Sequence, residues 1–172
     1  MTTLALDGRL MRTRGSDETR ALAEALGRLL EPGDTLSLTG DLGAGKTTFT
    51  QGLALGLGIP AGVVVNSPTF TILAEHLEGR VPLYHFDVYR LGGSADLYDL
   101  AFDEYVDGSG VVVVEWADKI ADALPADTLF IAIAFPVDGS ADDRELTLSG
   151  AGARATELID SVVAAFDREA AR

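Results

Sequence analysis

Apolar residues fall at two spacings along this chain, and their alternation sketches an architecture. After Ser16, which is placed to cap a helix, Leu22, Leu26, Leu29 and Leu30 recur at helical spacing until Pro32-Gly33-Asp34 ends the run. Thr35 to Thr39 reads as a short buried strand that runs straight into a glycine-rich stretch, Gly40 to Thr48. A glycine-punctuated helix follows and ends near Gly58-Ile59-Pro60, and Val63 to Val65 has the β-branched character of a strand entrance. Ile72 to Leu77 and Val81 to Tyr89, joined across Glu78-Gly79, predict a hairpin. Ser94 to Tyr105 reads as one helix, closed by the break Asp107-Gly108-Ser109-Gly110. Val111 to Val114 is a four-valine run of the kind buried on both faces of a sheet, and it ends at Glu115-Trp116. A short helix near Ala117 to Leu124 comes next. Thr128 to Phe135 and Arg144 to Leu148 then form a second hairpin around Asp138-Gly139-Ser140. The last helix carries Leu158, Ile159, Val162, Val163 and Phe166 on one face, a stripe suited to core packing. Strands alternating with helices, then hairpins, predict an α/β layered domain with a central mixed β-sheet flanked by helices.

Composition narrows the class. A chain of 172 residues, 47% hydrophobic, is sized for one domain spanning 1–172 with a substantial core. No run of 18 uninterrupted apolar residues occurs, and the N-terminus lacks a basic segment followed by an apolar one, so neither a membrane span nor a secretory signal is expected. The absence of cysteine excludes disulfides, thiolate zinc sites and a cysteine nucleophile. The net charge is −14, so a surface this acidic should repel phosphate backbones, and little direct binding of nucleic acid is expected. Only two lysines occur, Lys46 and Lys119, so their positions carry information.

Lys46 lies in Gly40-Asp41-Leu42-Gly43-Ala44-Gly45-Lys46-Thr47, which satisfies G-x-x-x-x-G-K-[ST] in full. Gly43 and Gly45 let the backbone turn inward without a Cβ, so that successive N–H groups converge on phosphate oxygens. The helix that follows adds its positive end to the same place. Lys46 would reach the β- and γ-phosphates and the Thr47 hydroxyl would enter a Mg²⁺ shell, with Thr48 closing the loop. A nucleoside triphosphate with Mg²⁺ is the expected ligand.

Such a loop needs an acid at the end of a neighbouring strand. Glu115, after the valine run, and Asp87, after Leu83-Tyr84-His85-Phe86, both qualify, one to hold Mg²⁺ and the other to orient water. Thr69 and Thr71 lie where nucleotide switches place a threonine that senses the γ-phosphate. His76 and His85 have no companions at metal-ligand spacing and read as plain strand residues. Trp116, the only tryptophan, follows the acid and either fills the core or faces the site.

Within the P-loop class, an N-K-x-D guanine reader is missing. Trp116 to Asp143 holds no arginine and one lysine, Lys119, which weakens a small-molecule kinase with an arginine lid. The remaining readings are an ATPase, a small-molecule phosphotransferase, and a nucleotide-dependent binding module without hydrolysis.

Four motifs in order sharpen the choice: the loop through Phe49; Ser67-Pro68-Thr69-Phe70-Thr71; Tyr84-His85-Phe86-Asp87-Val88-Tyr89-Arg90-Leu91; and Val114-Glu115-Trp116. Together they resemble the TsaE family, also called YjeE, over roughly residues 15 to 135. The resemblance implies a cytoplasmic ATPase of tRNA threonylcarbamoyladenosine biosynthesis, acting with the partner proteins TsaD and TsaB. Those partners carry out the transfer to the adenosine beside the anticodon, and ATP hydrolysis supports their turnover. By the same resemblance, Leu42 to Thr47 would hold ATP, Thr47 and Glu115 would ligate Mg²⁺, and Asp87 would lie at the catalytic centre with Trp116 beside it. Ser67 to Thr71 would be a switch segment. One departure stands out: family members often carry glycine where this chain has Ala101.

Overall fold

The computed structural model describes residues 8–171; the N-terminal stretch read above for a secretory signal falls largely outside them. Seven strands form one mixed sheet: β1 (Arg9–Arg14), β2 (Thr35–Thr39), β3 (Leu73–His76), β4 (Leu83–Asp87), β5 (Val111–Glu115), β6 (Leu129–Ala134) and β7 (Asp143–Ser149). Their order is β1-β7-β6-β2-β5-β4-β3. The inner four, β6, β2, β5 and β4, are parallel, and antiparallel pairs flank them on both sides. All four valines of β5 are fully buried, as expected of a strand covered on both faces.

Helices α1 (Ser16–Gly27), α2 (Lys46–Gly56) and α4 (Ala153–Ala170) cover one face, where Leu22, Leu26, Phe49, Leu53, Leu158 and Val162 meet alternate residues of β2, β5 and β6. The other face is covered over β4 and β5 by a 3₁₀ segment, Ser94–Leu100, by α3 (Phe102–Val106) and by a second 3₁₀ segment, Ala117–Ala123. Phe86 and Phe102 pack edge-to-face there, with centroids 5.1 Å apart.

The glycines of α2 have a packing reason. A Cβ on Gly52 would stand 2.4 Å from the Arg20 carbonyl oxygen, and one on Gly56 would stand 2.3 Å from that of Glu24. Gly27 meets Leu53 in the same way, so α1 and α2 touch backbone to backbone.

Several expectations change. The α1 N-cap is Gly15, at φ 87°, and not Ser16, because the chain turns sharply out of β1 there. The helix ends at Gly27, before Pro32, and Arg80 donates to the carbonyls of Gly27, Arg28 and Leu30, satisfying groups that a longer helix would have bonded internally. Val63 to Val65 is not a strand; the Val65 carbonyl accepts from Gln51 Nε2 instead of from a ladder. The expected helix Ser94 to Tyr105 is split at Ala101, which sits in the left-handed region at φ 51°, ψ 40°. Strand β1 had no sequence signal: only Met11 and Thr13 point inward, and three arginines occupy the edge.

Two substitutions test this packing in opposite directions. Gly52→Ala should destabilise by about 1–3 kcal/mol, since a methyl group must push two helices apart. Ala101→Gly should stabilise by about 0.5–1 kcal/mol by relieving the left-handed strain. Urea midpoints at constant m-value check both, and equal midpoints for the two variants would contradict the assignment.

Candidate functional site

Thr39 ends β2 and Gly40 begins the loop at the carboxyl end of the parallel strands, where open α/β sheets gather ligands. Parallel pairing places Leu38 opposite Glu115 and Asp87 opposite Glu115, so loop and acids share one edge. Gly40, Gly43 and Gly45 have φ values of 148°, 80° and 111°. At Gly43 and Gly45 only the backbone angle demands glycine, because a Cβ would meet nothing. Gly40 is required sterically as well: its Cβ would lie 2.4 Å from the Ile133 carbonyl oxygen.

Lys46 opens α2 and is 5% exposed. Its Nζ donates to the carbonyls of Gly40 (2.7 Å) and Asp41 (2.9 Å) and lies 4.0 Å from the centroid of the Trp116 ring. Burial pushes its ammonium below the ordinary lysine range, while the charges of Glu115, Asp87, Asp41 and Asp118 pull it back up. The Thr47 hydroxyl donates to Glu115, 3.2 Å to Oε1 and 3.4 Å to Oε2. Asp87 is buried too; it accepts from the hydroxyls of Ser67 and Thr69 and from the Tyr89 backbone N–H. Among the described residues, neither carboxylate forms an ion pair with lysine or arginine.

These groups line a cavity of ≈ 410 Å³ with Leu42, Gly43, Gly45, Lys46, Thr48, Tyr89 and Trp116 on its walls. Ala44 is buried beneath the loop, where its carbonyl accepts from Arg144 Nε at 2.8 Å. Asp41 contributes its backbone carbonyl and stays exposed. Thr71 does not join the group: it is exposed and outside the cavity wall. Trp116 takes the site-facing option, in the left-handed region at φ 61° and tilted against Tyr89. His76 is a buried strand residue, but His85 is more than that, with Nε2 2.8 Å from Glu115 Oε1. The missed signal was alternation, since residues two before Asp87 and two before Glu115 share the site's face. Arg144 and Tyr89 gave no comparable signal, because their roles come from strand pairings distant in sequence.

The Thr47 hydroxyl and Glu115 carboxylate oxygens, 3.2 Å apart beside a second buried acid, Asp87, suit a hard divalent cation. No group of three or more His, Cys, Asp or Glu gathers at metal-binding distances among the described residues.

The glycine loop, the strand it leaves and the acids on neighbouring strands define a P-loop NTPase-like α/β fold. The family profile described as "Threonylcarbamoyl adenosine biosynthesis protein TsaE" matches residues 13–145, and the chain belongs to that nucleotide-binding family of tRNA threonylcarbamoyladenosine biosynthesis. It is 48% identical to the tRNA threonylcarbamoyladenosine biosynthesis protein TsaE of Bacillus subtilis over 151 residues, 88% of this chain and 91% of that one. The protein of the same name from Treponema pallidum is 44% identical over 137 residues, covering 80% of this chain and 97% of that one. The crystal structure of Bacillus subtilis YdiB superposes with a TM-score of 0.79 at 42% identity, covering 94% of this chain and 97% of that one. No described helix is long and apolar enough to cross a membrane.

Because Trp116 is the only tryptophan and lines the cavity, its emission should change saturably as nucleotide is added. A flat fluorescence titration alongside binding measured by calorimetry would put the nucleotide elsewhere.

Proposed function

We propose that residues 1–172 act as one domain, a Mg²⁺-dependent ATPase subunit of cytoplasmic tRNA threonylcarbamoyladenosine biosynthesis that supports turnover of a TsaD–TsaB complex. The observation that carries this reading is the Thr47–Glu115 contact at the mouth of the glycine loop, with Lys46 on one side and Asp87 on the other. The backbone from Asp41 to Thr48 and the N-terminal end of α2 hold the triphosphate, and Lys46 adds the compensating charge. Thr47 and Glu115 are the ligands for Mg²⁺, which neutralises charge on the phosphoryl oxygens when bound.

Asp87 orients the attacking water. Hydroxyl donors from Ser67 and Thr69 keep it an acceptor and link it to the Ser67–Thr71 segment, the proposed switch. Water attacks the γ-phosphorus, the bond to the β-phosphate oxygen of ADP breaks, and the water protons leave with phosphate and solvent. Positioning and electrostatics carry this reaction, and Lys46 is the one cation among the residues that line the cavity. A site with so little positive charge is slow alone and quickened by its partners. With a net charge of −14, the chain leaves tRNA to those partners.

ATP turnover measured with and without TsaD–TsaB tests the reading: turnover should rise with the complex, and unaltered ATP with every partner present would select a binding module instead. Lys46→Ala should lower turnover on the order of 100-fold or more. Glu115→Gln should raise the Mg²⁺ requirement further than Asp87→Asn, and identical Mg²⁺ titrations would refute the division of roles.

A further inference from the structure

One fully buried polar side chain faces this site without a part in the reaction just described. His85 stands on β4 opposite Val113, two residues before the Asp87–Glu115 pair, so strand alternation sends its ring to the same face as both acids. Its Nε2 lies 2.8 Å from Glu115 Oε1, the oxygen that also accepts from Thr47 at 3.2 Å. The Glu115 carboxylate is therefore gripped from two directions, by the neighbouring strand and by the first turn of α2.

That grip matters because of what lies nearby. Lys46 is close enough that Glu115 exerts the largest charge effect upon it, yet the carboxylate bonds to His85 and Thr47 and not to the ammonium. A glutamate side chain with free rotamers could swing onto that lysine and cancel the charges of both groups. A carboxylate only accepts, so the hydrogen between His85 and Glu115 sits on Nε2. The other ring nitrogen, Nδ1, is buried and unpartnered, and leaving it bare avoids an orphaned buried donor.

We propose that His85 is a positioning residue for the metal site: by donating Nε2–H to Glu115 it holds the carboxylate beside the Thr47 hydroxyl, preset for the cation and kept off Lys46. This rests on the Mg²⁺-ATPase reading above. Partners of this kind orient metal ligands, and their loss typically weakens metal binding about 10- to 100-fold.

The test uses the full chain as wild type, His85→Leu and His85→Gln, the last keeping a side-chain N–H at similar reach. Affinity for a non-hydrolysable ATP analogue is followed through Trp116 emission and calorimetry, in EDTA and across a series of Mg²⁺ concentrations. In His85→Leu the Mg²⁺ needed for half of the metal-dependent gain in affinity should rise about 10- to 100-fold, and His85→Gln should recover most of that loss. Equal Mg²⁺ titrations for wild type and His85→Leu would overturn the proposal. So would a loss of affinity that is the same in EDTA and in Mg²⁺, the signature of a histidine that only supports the core. If His85→Leu does not fold, imidazole ¹⁵N spectra of the wild type decide, with hydrogen on Nε2 expected and hydrogen on Nδ1 overturning it. A wild type that binds the analogue with no metal-dependent gain at all would remove the Mg²⁺-ATPase reading itself, a result distinct from failure of the variants.

Discussion

The parallel registration of β2, β5 and β4 is the constraint on which the rest of this molecule depends. Leu38 opposite Glu115, and Glu115 opposite Asp87, bring the end of β2 and two acids to one edge. Side chains alternate with a period of two, so a one-residue slip of β5 would turn Glu115 away from Thr47 and bury it among Phe86 and Phe102. The hydrophobic pattern prevents this: Val111 and Val113 belong to the helix-covered core and Val112 and Val114 to the opposite one. The same valines that stabilise the sheet thus set the aim of the carboxylate.

The charge distribution is organised around that edge. The surface is strongly acidic, but the buried part of the site holds its acids singly, each with its own donors: Ser67, Thr69 and the Tyr89 amide for Asp87, and Thr47 and His85 for Glu115. Lys46 is held apart from both by two backbone carbonyls and the face of Trp116. Burial works against its charge, and the surrounding carboxylates work for it. A cation retained against desolvation, with anions near but not bonded, is available to an incoming polyanion in a way that an ion-paired lysine is not.

Much of this was legible in the sequence because its causes are local. The glycine loop is contiguous, the valine run needs no partner to reveal burial, and strand-end acids follow from where an apolar run stops. What sequence did not reveal depends on residues far apart along the chain. Arg80 terminates α1 from about fifty positions away, and the Gln51 side chain takes the Val65 carbonyl that a strand would have used. The left-handed turn at Ala101 splits what helical spacing presents as one continuous helix, because nothing in the apolar pattern marks the change of backbone conformation. His85 lacked sequence neighbours of ligand type, and its partner is a single oxygen on the adjacent strand. Thr71 had the right residue type for a switch but faces solvent, because Ile72, at φ 68°, turns the chain before β3 begins.

The contact of Gly27, Gly52 and Gly56 carries a mechanical consequence. Packed helices ordinarily slide on a layer of interdigitated side chains, and shear motions use that layer. Here the two backbones meet directly at three glycines, so that layer is thinned and α1 and α2 pack as one slab. The slab ends in the phosphate loop, which makes the loop a fixed anvil. The opposite wall is held by side chains instead, where the hydroxyl groups of Ser67 and Thr69 meet Asp87.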